Sequence, residues 1–188
     1  MVTVIESFLP ADDFRRLQQI TRPRRGGRDV YGKLKDMAFL AATRRCIAAR
    51  VPAAADLSIQ QVLLRFEGRT GLLHHDLNGR PRRRLSLLLY IDVPAEGGAL
   101  IFPFFGASGA PVDSPVTAAC RARWAAGDLY SEDPLLGAYL TAHQDRLLTL
   151  QPSPNSAVFF PSDDPAAWHF VSPVIRGHRS CLVFFFQA

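Results

Sequence analysis

The chain has 188 residues, enough for one domain with a sizeable core, and 48% of them are hydrophobic, 13 being phenylalanine, which excludes a disordered chain. No run approaches the about 18 consecutive apolar residues of a membrane helix, and the start, Met1-Val-Thr-Val-Ile-Glu-Ser7, lacks the basic stretch that opens a secretory signal. The formal net charge of +5 is carried almost entirely by arginine, and Cys46, Cys120 and Cys181 are scattered without a CxxC spacing, so a soluble, cytoplasmic protein with reduced thiols is expected.

In chain order, residues 2–9 read as a short strand. Pro10-Ala-Asp-Asp13 then opens a helix, with acidic residues in its first turn and Phe14, Leu17 and Ile20 at helical spacing. Arg22-Pro-Arg-Arg-Gly-Gly-Arg28 is a loop, and a second helix covers about residues 34–49, with Met37, Phe39, Leu40 and Ile47 among its apolar positions. Residues 1–56 are thus an N-terminal strand and helices that buttress a sheet.

From Leu57 the period changes to that of strands. Residues 57–66 form one strand, Gly68-Arg-Thr-Gly71 a turn, residues 72–76 a second strand and residues 77–81 another turn. Residues 85–93 are almost continuously apolar, as in a strand buried on both faces. Pro94-Ala-Glu-Gly-Gly98 is a turn, after which residues 99–105 continue the sheet.

Residues 106–145 form an insert with two helical stretches, near residues 116–126 and 135–146. Such an insert is expected to act as a lid that selects substrate, or to cover an outer sheet face. Strands resume at residues 146–151, 157–161 and 180–186. About eight short strands with flanking helices predict a mainly β chain, a single domain over residues 1–188 with a double-stranded β-helix (jelly-roll or cupin-like) core.

The chemistry concentrates in Gly71-Leu-Leu-His-His-Asp76, answered downstream by Trp168-His169 and Arg179. In a strand, His74 and Asp76 project from one face, whereas His75 projects from the other. With His169 as a third ligand, two imidazoles and one carboxylate suit non-haem Fe(II) with open coordination positions. His75 is expected to be structural or to support the ligands, and the lone His143 and His178 to be surface or capping groups, with His143 within reach of the substrate if the insert is a lid. Trp168 and the phenylalanine runs 102–105 and 184–186 are expected to pack.

Phe66-Glu-Gly, His74-x-Asp76, Leu85-Ser-Leu-Leu-Leu-Tyr90-Ile-Asp92, Glu96-Gly-Gly and His169-x-x-x-Pro-Val-x-x-Gly177-x-Arg179-Ser180 occur in an order that resembles the 2-oxoglutarate/Fe(II)-dependent dioxygenases, in particular the prolyl-4-hydroxylase-like branch. The resemblance runs from about residue 62 to the C-terminus. It implies that His74, Asp76 and His169 hold Fe(II), that Arg179 pairs with the distal carboxylate of 2-oxoglutarate, and that Ser180 or Ser86 adds a hydroxyl. Tyr90 would face the cosubstrate. Asp92 stands where the family has Asn, and Phe66 where prolyl hydroxylases often have Tyr, which weakens a prolyl substrate.

O2 is the other cosubstrate, and ascorbate the accompanying reductant. With Asp76 in place the expected outcome is hydroxylation of an unactivated C–H. A small molecule, an amino acid or a biosynthetic intermediate, is the first expectation for the substrate. A peptidyl, prolyl-type substrate is the second, and a nucleic acid is not expected despite the positive charge. A sensor that binds metal and 2-oxoglutarate without turnover, or a cupin-type structural metal protein, are the readings from other classes. Arg80-Pro-Arg-Arg-Arg84 follows the metal turn directly and is expected to border the mouth of the site.

Overall fold

A computed structural model describes residues 2–21, 34–67, 71–77 and 80–188, with the side chains of residues 64–67 outside the description. The loop expected at residues 22–28, the turn at 68–70, residues 78–79 and the side chain of Phe66 lie outside the described residues.

The chain opens with β1 (Thr3–Ile5), α1 (Ala11–Thr21) and α2 (Met37–Arg50). Asp12 and Asp13 sit in the first turn of α1, and Asp36 caps α2 by accepting from the Phe39 N–H at 2.9 Å. Phe39, Thr43 and Ile47 recur every fourth residue of α2 and turn one face inward, leaving Met37 on the exposed side.

Next come β2 (Ser58–Glu67), β3 (Leu73–His74), β4 (Arg83–Asp92), β5 (Glu96–Gly97) and β6 (Leu100–Gly106). The insert holds α3 (Pro115–Ala125), β7 (Tyr130–Ser131) and α4 (Pro134–Ala142). Its helices start at Ser114, in a reciprocal cap with Thr117, and at Asp133, each followed by a proline at the first helical position. The chain closes with β8 (Leu147–Leu150), β9 (Ala157–Pro161), β10 (Phe170–Val171), β11 (Val174–Arg176) and β12 (His178–Gln187).

The large sheet runs β1-β9-β4-β12-β2, with every neighbouring pair antiparallel. The small sheet contains β10-β6-β8, and the β3–β7 ladder joins it through an antiparallel pair between His74 and His169. The two sheets face each other as a double-stranded β-helix. Leu88, Tyr90, Leu100, Phe102, Val158, Phe160, Val171, Cys181 and Val183 fill the space between them. The outer face of the large sheet (Leu87, Leu89, Ile91, Leu182, Phe184, Phe186) packs against Phe8, Leu17, Phe39 and Ile47. The outer face of the small sheet packs against Val116 and Cys120 of α3 and Leu140 of α4.

Four expectations change. The second strand stops at His74, because its partner β7 is only two residues long, and Asp76 lies in the following turn. Residues 99–105 cross to the small sheet rather than continuing the large one. The Pro94–Gly98 turn carries β5, which pairs with β11. Gly97 is required there: its φ is +80°, and a Cβ would stand 1.9 Å from the Pro173 carbonyl oxygen. Finally, the described residues contain 12 strands rather than about eight, the surplus being the two- and three-residue strands β5, β7, β10 and β11.

Candidate metal centre

His74 and His169 are set by the sheet itself. The His74 N–H donates to the His169 carbonyl at 3.0 Å, and the His169 N–H to the His74 carbonyl at 2.9 Å. Directly paired residues share a face, so the two rings meet, with centroids 4.2 Å apart. Each ring is also fixed in tautomer by the carbonyl two residues earlier. His74 Nδ1–H donates to Leu72 O at 2.7 Å, and His169 Nδ1–H to Ala167 O at 3.0 Å. Both Nε2 lone pairs are thereby left facing Asp76, whose Oδ1 lies 3.3 Å from His74 Nε2 and 3.8 Å from His169 Nε2.

One ligand atom from each of the three residues falls within 4.8 Å of the others, the geometry of a group that could hold a metal ion. The other Asp76 oxygen, Oδ2, is buried without a hydrogen-bond partner, and a buried carboxylate oxygen in that state is costly unless a cation or donor satisfies it. For Asp76 and His169 the charge states fit as well. Burial opposes ionisation of Asp76, but the neighbouring imidazoles outweigh it and hold the carboxyl far below the usual range. Burial, reinforced by His74, pushes His169 down to about 3, so it is neutral. Burial alone would lower His74, yet its contact with Asp76 carries it above the ordinary value. Cys181, the thiol on the same inner wall, is pushed up by burial and offers no thiolate. The donor set is therefore N, N and O.

Arg179 lies on β12 and is 1% exposed. Its Nη2 donates to the Tyr90 hydroxyl at 2.9 Å, and its guanidinium carbon is 5.0 Å from the Tyr90 ring centre. Burial raises the pKa of the Tyr90 phenol. Tyr90 and Cys181 are directly paired on the inner face. Ser86 also faces inward, bonded to the Ser162 hydroxyl at 2.7 Å.

Ser180 does not join this group. Neighbours on a strand point to opposite faces, and the Ser180 hydroxyl donates to Asp92 Oδ2 at 2.6 Å. That is a correction to its expected place beside Arg179. Asp92, which stands where Asn was expected, is engaged by Ser180 and by His178 Nε2 at 3.3 Å.

His75 points away from the centre and is fully buried. Its Nε2–H donates to Asp164 O at 2.8 Å, its Nδ1 accepts from the Leu77 N–H at 3.3 Å, and Trp124 of α3 meets its ring edge-on at 4.5 Å. Trp168 is buried beside it, with an indole N–H that finds no partner among the described residues. His143 bonds the Tyr139 carbonyl at the end of α4.

Two residues near the centre escaped the sequence reading. Tyr130, on the insert's strand β7, pairs with His74 and holds its ring 10° from parallel to it, centroids 5.9 Å apart, while remaining 40% exposed. Arg83 donates from Nη1 to the Asp76 carbonyl at 2.5 Å and is only 4% exposed. Of the rest of its cluster, Arg80 bonds Gln60 and Arg84 pairs with Asp163 on the surface. Tyr130 lies in a two-residue strand, too short to show a period. The sequence marks Arg83 only as one of the four arginines of the Arg80–Arg84 cluster expected at the mouth of the site, not as a contact of Asp76.

The family described as the 2OG-Fe(II) oxygenase superfamily matches residues 62–187. Among solved structures, the chain is similar to the viral collagen prolyl hydroxylase vCPH from Paramecium Bursaria Chlorella virus-1 in its 2OG complex, at 14% identity and a TM-score of 0.60, covering 100% of this chain and 96% of that one. It is also similar to a Pseudomonas putida prolyl-4-hydroxylase (17% identity, TM-score 0.54, 99% and 91% covered). A third is HygX from Streptomyces hygroscopicus with nickel and 2-oxoglutarate bound (13% identity, TM-score 0.61, 99% and 82% covered). At these identities the likeness is one of fold. No curated protein matches the sequence.

Proposed function

Since this chain belongs to the 2OG-Fe(II) oxygenase superfamily, we propose that it hydroxylates an unactivated C–H of a small molecule, such as an amino acid or a biosynthetic intermediate, with His74, Asp76 and His169 as its iron ligands. The observation that carries the assignment is the convergence of three ligand atoms within 4.8 Å, with the buried Asp76 Oδ2 left unpartnered. Bound there, Fe(II) supplies the site at which O2 is activated while 2-oxoglutarate is oxidatively decarboxylated to succinate. The chain's own residues do the holding. The carbonyls of Leu72 and Ala167 keep both Nε2 lone pairs directed at the ion. Arg179, buried and steadied by Tyr90, receives the distal carboxylate of 2-oxoglutarate in a charge-assisted pair. Ser86 is the remaining hydroxyl on that inner wall.

The small-molecule reading is supported by Phe66, which stands where prolyl hydroxylases often carry Tyr. A peptidyl prolyl substrate is the second reading. It draws on the fold shared with the viral collagen prolyl hydroxylase and the Pseudomonas enzyme.

The test is an anaerobic titration of metal-free protein with Fe(II) and 2-oxoglutarate. The visible charge-transfer band of the chelate is expected in the wild type and absent in His169→Ala. A folded wild type without the band refutes the iron and cosubstrate assignment.

A further inference from the structure

Asp76 is the one member of the centre that the sheet does not hold. It stands in the turn after β3, and among the described residues no backbone–backbone hydrogen bond ties it down. What does reach it is the Arg83 guanidinium, through Nη1 to the Asp76 carbonyl at 2.5 Å.

Arg83 reaches that carbonyl because of an irregularity in β4. Leu85 pairs with Phe186 but Arg83 pairs with Gln187, so Arg84 is an extra residue between them. Plain alternation would place Arg83 on the outer face with Leu85, Leu87 and Leu89. The bulge turns it inward instead, a known use of bulges beside functional sites. There its guanidinium carbon lies 3.7 Å from the centre of the Phe185 ring, and Nη2 is 3.4 Å from Gln60 Oε1. The same oxygen accepts from Arg80 Nη1 at 2.7 Å. Backbone bonds from Arg80 N–H to Leu77 O (2.7 Å) and from Arg83 N–H to Arg80 O (3.1 Å) tighten the same segment. With Arg83 only 4% exposed its guanidinium loses most of its hydration, and among the described residues Nε has no partner. Burial at that cost is unnecessary for an arginine that merely covers surface, as Arg84 does.

We propose that Arg83 is a positioning residue for the metal centre: its guanidinium, laid flat on Phe185, grips the Asp76 backbone and sets the carboxylate opposite the two histidines. This rests on the reading of His74, Asp76 and His169 as metal ligands. Planarity matters as well as charge, because only a flat fork can lie on the ring and still donate in its own plane. Lysine is therefore a partial substitute.

The test compares wild type, Arg83→Lys and Arg83→Met by anaerobic Fe(II) titration, with thermal unfolding of the metal-free proteins alongside. Arg83→Met keeps an apolar stem on Phe185 and is expected to weaken Fe(II) binding by about tenfold or more, the range seen when a partner of a metal ligand is lost. Arg83→Lys is expected to fall between. At saturating Fe(II), 2-oxoglutarate affinity should hold near the wild-type value, since Arg179 is untouched, while the chelate band shifts or weakens. A general loss of fold would lower both affinities together. Wild-type Fe(II) affinity and an unaltered band in folded Arg83→Met overturn the inference; if that variant does not fold, the same result in Arg83→Lys does so. A wild type that binds no Fe(II) overturns the ligand assignment itself, and the inference with it.

Discussion

His74 and His169 exchange both of their backbone hydrogen bonds, so neither ring can shift without opening a pair inside the small sheet. Asp76, in the turn two residues beyond His74, depends on the side chain of Arg83 and on the turn that His75 braces through Leu77. One half of the centre is held by a ladder that any strand-forming sequence can make. The other half is held by particular side chains and is the half a substitution can loosen without touching a ligand.

The largest effect comes from removing the ligands themselves, whichever half they belong to. His74→Ala and Asp76→Ala are each expected to bring 2-oxoglutarate-dependent succinate formation down to background. Full turnover in Asp76→Ala would break the comparison, because the turn would then stand outside the centre.

Arg179→Ala comes next. It removes a charge-assisted pair worth about 1.5–3 kcal/mol, so the 2-oxoglutarate concentration for half-maximal turnover should rise by about 10- to 100-fold. Fe(II) affinity should change little, because Arg179 is held on β12 of the large sheet beside Tyr90 and supplies no ligand atom to the metal. A parallel loss of Fe(II) binding would show that the two halves are coupled through Tyr90.

The smallest effect is expected at His75, and it falls on stability. His75→Ala leaves the Leu77 N–H and the Asp164 carbonyl without this partner and opens space beside Trp124. Unfolding free energy should fall by about 1–3 kcal/mol, read as a lower denaturation midpoint at an unchanged slope. A wild-type midpoint would mean that the insert is not anchored to the metal turn through this ring.

Much of this was legible in the amino-acid order because it obeys short-range rules. The alternation that separates His74 from His75 and the acidic opening of α1 are both local. The arrival of His169 and Arg179 beside His74 is not local, but it follows from motifs whose spacing is tied to one chemistry. Ser180 was open to the same alternation rule that settles His75. Adjacent to Arg179 on β12, it had to face the other way.

Other features depend on pairing, which no single segment reveals. Residues 72–76 look like a strand, yet a two-residue partner on β7 ends the strand at His74. Tyr130 owes its place beside His74 to that same partner. Arg83 is inward only because one residue of β4 goes unmatched against β12. Alternation read along β4 alone gives the wrong face for it.

The position of β12 has a consequence for how the molecule comes into being. In the order β1-β9-β4-β12-β2 the strand that follows all the others in the chain is not at an edge but between β4 and β2, whose facing rims have no strand partner without it. Until residues 178–187 emerge, the large sheet is split and Arg179 has not been delivered. Closing the large sheet therefore depends on contacts between distant parts of the chain, which form slowly. Loss of the final ten described strand residues would remove the middle of the sheet, not its hem.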